Sequence, residues 1–381
     1  LPRPNYSNKY FIFHVSGEEF NAYGSYQIQP LHLSLSEVDM NLDNGLGGIP
    51  ADKKNLHIIE DTITQGRITA CKHGNGRDWW VIMHKFHSDL YYKVLVEPDT
   101  NLVTTQTIGP VETSNDILGM AKFSPDGSKY CFLNFERSFD LLDFDRCSGE
   151  FSNPLTITVP DSSTDIPWTL GCEFSSSGRF LYINSYKHVY QYDLWSQNID
   201  SSVIEVSEWD TSYLPTATWF FLPQRAPDGK IYISTYNGTL YLHVIDQPDS
   251  LGLSCNVMQH SFKLTQYSTP IPNFPNYQLG KLEGSDCDTV FTSSPHSSLE
   301  NHSYSIYPNP VSNWLNIDYS SKEDALFELF DIDDHRVSAI SLFHYFKNRL
   351  LDVSALPAGV YLAAVSQKGK RVWSEKVVVG H

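Results

Sequence analysis

The stretch CKHGNGRDWWVIMHKFH, residues 71–87, gathers Cys71, His73, Asp78, His84 and His87, with Trp79 and Trp80 between them. Thiolate, imidazole and carboxylate are the donors of a transition-metal site, so the first question is whether these side chains can converge. In an extended strand, neighbouring side chains point to opposite faces. His84 and His87 are three apart, so they are expected to face opposite ways and not to share a metal. Trp79 and Trp80 are expected to split, one into each layer beside the strand. No metal ligand is assigned.

A second candidate is DFDRCSGE, Asp143 to Glu150, where Asp143 and Asp145 alternate as in a calcium loop. Its glycine comes one position late and no glutamate stands at the twelfth position. Asp193 and Asp246 recur at nearly the same place downstream, which fits a turn former better than a ligand. HExxH, GxSxG, Walker and Rossmann patterns are missing from the sequence. No catalytic residue and no cofactor are assigned. The six cysteines, Cys71, Cys131, Cys147, Cys172, Cys255 and Cys287, have no zinc-like spacing and allow no pairing to be deduced.

The elements that carry these residues repeat. NGRDWWVIMH, DGSKYCFLNF, SGRFLYINSY and DGKIYISTYN align on Gly76, Gly127, Gly178 and Gly229, which are spaced by 51 residues each time. Each glycine sits in a short turn before an alternating aromatic and aliphatic run, a hairpin signal. The first residues fit the same frame with Asn8 in the glycine position and an insertion of about 17 residues, expected around DMNLDNGLGG. Strand-rich repeats of about 50 residues are the signature of β-propeller blades. The fold class is all-β: a propeller over residues 1–283 with five recognisable blades, then a small sandwich. Propellers have roughly four to eight blades, and the chain starts inside an inner strand, so about one or two further blades are expected before Leu1. LPRPNYSNKYFIF has neither the basic start nor the apolar stretch of a signal peptide, so the chain reads as a mature form or a fragment.

Apolar residues make up 41% of the 381, enough for a substantial core. The net charge is −17; from Tyr307 onward there are 8 basic and 9 acidic residues, so the excess lies before it. That excludes nucleic acid and an anionic membrane surface as partners of the first part. No apolar run reaches the roughly 18–20 residues of a membrane helix.

From about Ser285 the composition shifts. SDCDTVFTSSPHSSLENHS reads as a linker, placed at residues 284–304. SIYPNPVSNWLNIDY, ALFELFDIDDHRV, LLDVSALPAGVYLAAV and KRVWSEKVVV then form short strands between turns, enough for an immunoglobulin-like sandwich. Tyr307-Pro308-Asn309-Pro310 opens this domain, and Asp352, Leu356, Pro357, Gly359 and Tyr361 lie in its LDVSALPAGVYL segment. With these motifs in order, residues 305–381 resemble the C-terminal sorting domain of cargo proteins of the bacterial type IX secretion system. The resemblance implies the secretion machinery as a partner and a secreted chain, or one attached to the outer face of the outer membrane. LHLSLSEVDMNLDNGLGG, KHGNGRDWWVIMH and PIPNFPNYQLG resemble propellers of uncharacterised cargo proteins of the same system.

The resulting expectation is an exported propeller that binds an extracellular ligand, a glycan or a protein. The alternative is a lyase or hydrolase acting on glycans or lactones at the central channel. An axis lined with carboxylates and histidines would favour the enzyme; aromatic-rich loops would favour binding. Few contacts are expected between propeller and tail, because a linker separates two pieces with cores of their own.

Overall fold

In the computed structural model the described residues are all except 16–17, 23–24, 112–118, 136–137, 161–167, 269–270, 289–302 and 381. Residues 289–302 take in most of the expected linker, which therefore lies outside the described residues. The alternating aromatic and aliphatic runs form antiparallel sheets. Blade I pairs Lys9–Val15, His32–Asp39 and Leu56–Glu60. Blade II is Thr69–Lys72, Trp79–His84, Leu90–Val96 and Asn101–Thr107. Blade III is Ala121–Phe123, Lys129–Asn134, Ser138–Phe144 and Phe151–Thr158. Blade IV is Thr169–Phe174, Phe180–Ser185, His188–Asp193 and Ile204–Glu208, and blade V is Phe220–Arg225, Ile231–Thr235, Thr239–Ile245 and Val257–Ser268.

The 51-residue glycines make the same turn four times. Gly76, Gly127, Gly178 and Gly229 have φ of 73°, 76°, 73° and 83°. Each donates its N–H to the carbonyl three residues earlier, at 2.9–3.0 Å, on His73, Ser124, Ser175 and Ala226. A Cβ is disfavoured at such φ, hence glycine. The extra length of blade I falls in two places. One is a hairpin, Glu18–Ala22 with Ser25–Gln29, between its first two strands; the other is the 40–55 connection, which contains most of DMNLDNGLGG.

Each strand sends alternate residues into the layers on its two sides. Blades III and IV meet through Cys131, Leu133, Phe139, Cys172, Phe174 and Leu181. Blades IV and V meet through Phe180, Tyr182, Phe220, Ile231 and Ile233. The outer faces of blades I and V are open: Tyr10 and Ile12 are 40% and 42% exposed, and Phe262, edge-on to Tyr232, is 45% exposed.

The tail is a two-sheet sandwich: Ser303–Tyr307, Trp314–Ser320 and Asn348–Asp352 against Arg336–Leu342, Ala325–Phe330, Gly359–Gln367 and Lys370–Val379. The expected sparse contact with the propeller is not what is found. One continuous core joins Leu33, Leu35 and Ile59 of blade I, Trp79, Tyr92 and Val103 of blade II, and Leu315, Phe346 and Leu351 of the tail. Asn101 bridges Phe346 in parallel strand fashion, and the fully buried Arg349 donates to the His57 carbonyl at 2.8 Å. The apolar face of blade II toward blade I is covered in part by the sandwich, so the two cores merge.

Candidate functional site

The opening cluster is dispersed into separate structural roles. Cys71 lies on the inner strand of blade II, and burial pushes its thiol up to about 12. His73 sits in the glycine turn, where Nε2 donates to the Cys147 carbonyl at 2.9 Å and Nδ1 accepts the Asn75 N–H. The buried Asp78 carboxylate is held by Arg77 and Asn75 at 2.7–2.8 Å. His84 is packed against Tyr91 and Phe132, and burial, with Arg67 nearby, pushes its imidazole down to about 3. His87 is not on the strand, as expected from the sequence, but in the following turn with φ of 52°. Trp79 and Trp80 do split: Trp80 packs edge-on to Phe144 of blade III, whereas Trp79 enters the layer shared with blade I and the tail.

The recurring aspartates have a repeated partner. Asp143 pairs with Lys129, Asp193 with Arg179 at 2.7 Å, and Asp246 with Lys230 at 2.5 Å. Each pair ties the start of a blade's second strand to the end of its third. Asp193 also accepts the Trp195 N–H, so it forms a turn as well.

At the axis, equivalent inner-strand positions of blades III, IV and V carry Lys122, Glu173 and Gln224, again 51 residues apart. Lys122 reaches Glu173 at 3.0 Å and Gln224 at 2.8 Å, and Glu173 accepts the Arg225 N–H at 3.0 Å. The resulting polar chain links three blades where a low dielectric makes unpaired charge costly. Residues 271–288 complete the axis. Asn273 donates to the carbonyls of Ile68 and Ala121, Asn276 to Pro125, and Leu282 to Gly74. The buried Arg146 guanidinium donates to Lys72, His73, Asp126 and Gly280 carbonyls, and a Cys147–Cys287 disulfide fastens the far end. Within this strap, Gly280 follows Gly229 by the same 51 residues, so IPNFPNYQLG stands where the inner strand of a next repeat would. Strap and inner strands line a solvent-open cavity of about 440 Å³, whose charged lining residues are Lys72, Lys122, Arg225 and Glu173.

Because strands alternate in direction, the turns between second and third strands, and the connections between blades, share the opposite end of the propeller. On blades III–V this end is aromatic. Phe135 stacks on Trp168 at 4.7 Å, Trp168 meets Tyr186 at 5.7 Å, and Tyr186 meets Tyr236 at 4.8 Å. Trp219 lies between Tyr236 and Trp209, and Trp209 contacts Tyr213. Tyr213 and Tyr236 are 66% and 41% exposed. Trp209 Nε1 donates to Thr218, while the buried Trp219 Nε1 has no hydrogen-bond partner among the described residues. Phe135 and Tyr186, and Trp168 and Trp219, keep the 51-residue spacing, so this part of the cluster carried a repeat signal in the sequence.

In the tail, the Asn309 side chain donates to Lys376 O at 2.7 Å and accepts Val378 N–H at 2.9 Å, tying the domain's entry to its last strand. Tyr307 donates to Asp318, and Val311, just past Pro308 and Pro310, bridges Val379. Asp352 accepts the Ser354 N–H, Leu356 packs on the core, and Tyr361 at the start of the Gly359 strand donates to Pro357 O at 2.7 Å.

Residues 305–380 match the family model of the secretion system C-terminal sorting domain. This domain marks the chain for secretion and attachment at the outer-membrane surface. A search of the curated proteins finds no match. Among solved structures, the periplasmic gluconolactonase of Pseudomonas aeruginosa is similar with 11% identity, covering 97% of each chain at a TM-score of 0.40. The β-propeller domain of Cps50 from Myceliophteria thermophila is similar with 10% identity, covering 97% of this chain and 98% of that chain at a TM-score of 0.35.

Proposed function

We propose that residues 1–288 are the ligand-binding module of a surface-displayed protein and that the aromatic end of blades III–V is its docking face. The observation that carries this reading is the run of rings from Phe135 to Tyr213, with Tyr213 and Tyr236 exposed. Tyr and Trp offer large, rigid contact area with a polar tip, which suits them to recognition of partly apolar surfaces such as sugar faces or protein patches. The axis lends the enzymatic alternative little: the one carboxylate lining its cavity is tied to Lys122, and no histidine lines it among the described residues.

The test is an array of extracellular polysaccharides and envelope proteins probed with the full chain. Tyr213→Ala and Tyr236→Ala should each weaken binding by about tenfold, the loss expected of an aromatic anchor. Thermal unfolding of each variant checks that the fold is kept, because Tyr236 also packs on Tyr186, Trp219 and Phe221. If both variants bind as the parent does, the docking face lies elsewhere.

A further inference from the structure

The protein is strongly acidic overall, with a net charge of −17, yet the charged groups lining its axial cavity are three cations and one carboxylate. Glu173 is already committed to Lys122 at 3.0 Å. Among the described residues, no carboxylate lies within ion-pair distance of Lys72 or Arg225. Lys72 Nζ donates to the Tyr277 carbonyl at 3.5 Å and lies 5.1 Å over the Trp79 ring, and among the described residues the buried Arg225 Nε has no hydrogen-bond partner. The carboxylate that feels Arg225, Asp249, is taken up by the Ser177 N–H and hydroxyl at 2.9 and 2.6 Å. Burial, and then the neighbouring Arg146, push the Lys72 ammonium below the usual lysine range. Two partly buried cations on one cavity wall without counter-charge are stabilised by an incoming anion.

The walls add a second requirement. Phe274 and Tyr277 of the strap are 53% and 46% exposed and line the same cavity. The volume, about 440 Å³, falls within the roughly 300–1,000 Å³ of small-molecule sites.

We propose that the axial cavity is a second binding site, for a carboxylated sugar, with Lys72 and Arg225 meeting the carboxylate and Phe274 and Tyr277 flanking the ring. Charge-assisted contact from a lysine and an arginine selects the carboxylate, and the aromatic walls select a ring with an apolar face over a bare anion. The site is at the opposite end of the propeller from the aromatic docking face. Loss of one therefore leaves the other testable.

The experiment is calorimetric titration of the full chain with glucuronate, glucose and acetate. Glucuronate should bind at least about tenfold more tightly than either, and raising NaCl from about 50 to about 500 mM should weaken it through screening. Lys72→Gln and Arg225→Gln should each reduce glucuronate affinity about tenfold, whereas Lys370→Gln, on the exposed tail surface, should not. Thermal unfolding of each variant checks that the fold is kept. The proposal is overturned if glucuronate fails to bind, if glucose or acetate binds as well, or if folded Lys72 and Arg225 variants bind as the parent does.

Discussion

Asn348 of the tail holds both main-chain groups of Val103 on the outer strand of blade II. Its Oδ1 accepts the Val103 N–H at 2.9 Å, and its Nδ2 donates to the Val103 carbonyl at 2.7 Å. The asparagine is 2% exposed, so a sorting domain and a propeller share a buried polar contact that neither would satisfy alone.

Replacing Asn348 with Ala should therefore destabilise the whole chain by about 1–3 kcal/mol, the cost of stranding buried partners. Deleting residues 305–381 should go further. It uncovers Tyr92, which lies edge-on to Trp314, and the blade II face around Val103. The truncated propeller should melt at lower temperature and bind an apolar dye that the full chain does not. Equal melting temperatures would mean that the merged core adds nothing.

The buried Lys122–Glu173 pair gives a second expectation. Lys122→Ala or Glu173→Ala alone should cost about 3–5 kcal/mol, because each leaves a buried charge unpaired. Replacing both with Met and Leu should recover most of that loss. A double-mutant cycle in chemical denaturation measures the coupling, which near zero would contradict the tight axial chain.

Trp79 and Trp80 are 1% and 4% exposed in different layers. Each change to Ala should cost about 3–5 kcal/mol, with the two losses measured separately by denaturant titration. A loss below about 1 kcal/mol for either would contradict its place in the core.

The buried histidines set a pH dependence. His84 and His243 are both pushed down to about 3, first by burial, with Arg67 adding for His84 and His260 for His243. In the unfolded chain they regain the ordinary value near 6.5, so below that pH the unfolded state binds more protons. Their stabilisation is full above about 6.5 and is lost as pH falls toward about 3, at about 1.4 kcal/mol per pH unit for each ring. Unfolding free energy measured from pH 7 to pH 4 should fall on this account. His84→Phe should flatten the slope, and an unchanged slope would show that the ring is already charged in the fold.

The propeller was legible because its turns repeat: a positive-φ glycine every 51 residues is a backbone requirement that sequence displays directly. The split of Trp79 and Trp80 follows from strand alternation, and the tail's motifs carried its identity. What escaped were features made between repeats. Lys122 meets Glu173 only across two blades, and Asn348 finds Val103 245 residues away; the rings were passed over although Trp168 and Trp219, and Phe135 and Tyr186, keep the 51-residue spacing. The strap was missed although Gly280 keeps the spacing, because no following hairpin marks it as a blade.

The most direct test of the binding account is hydrogen exchange of the full chain with and without a polysaccharide or protein identified from the array. Protection should appear at residues 209–219 and 236–238, on the aromatic end, with the turns at Gly76, Gly127 and Gly178 unchanged. Protection confined to those glycine turns, with 209–219 unaffected, would contradict it.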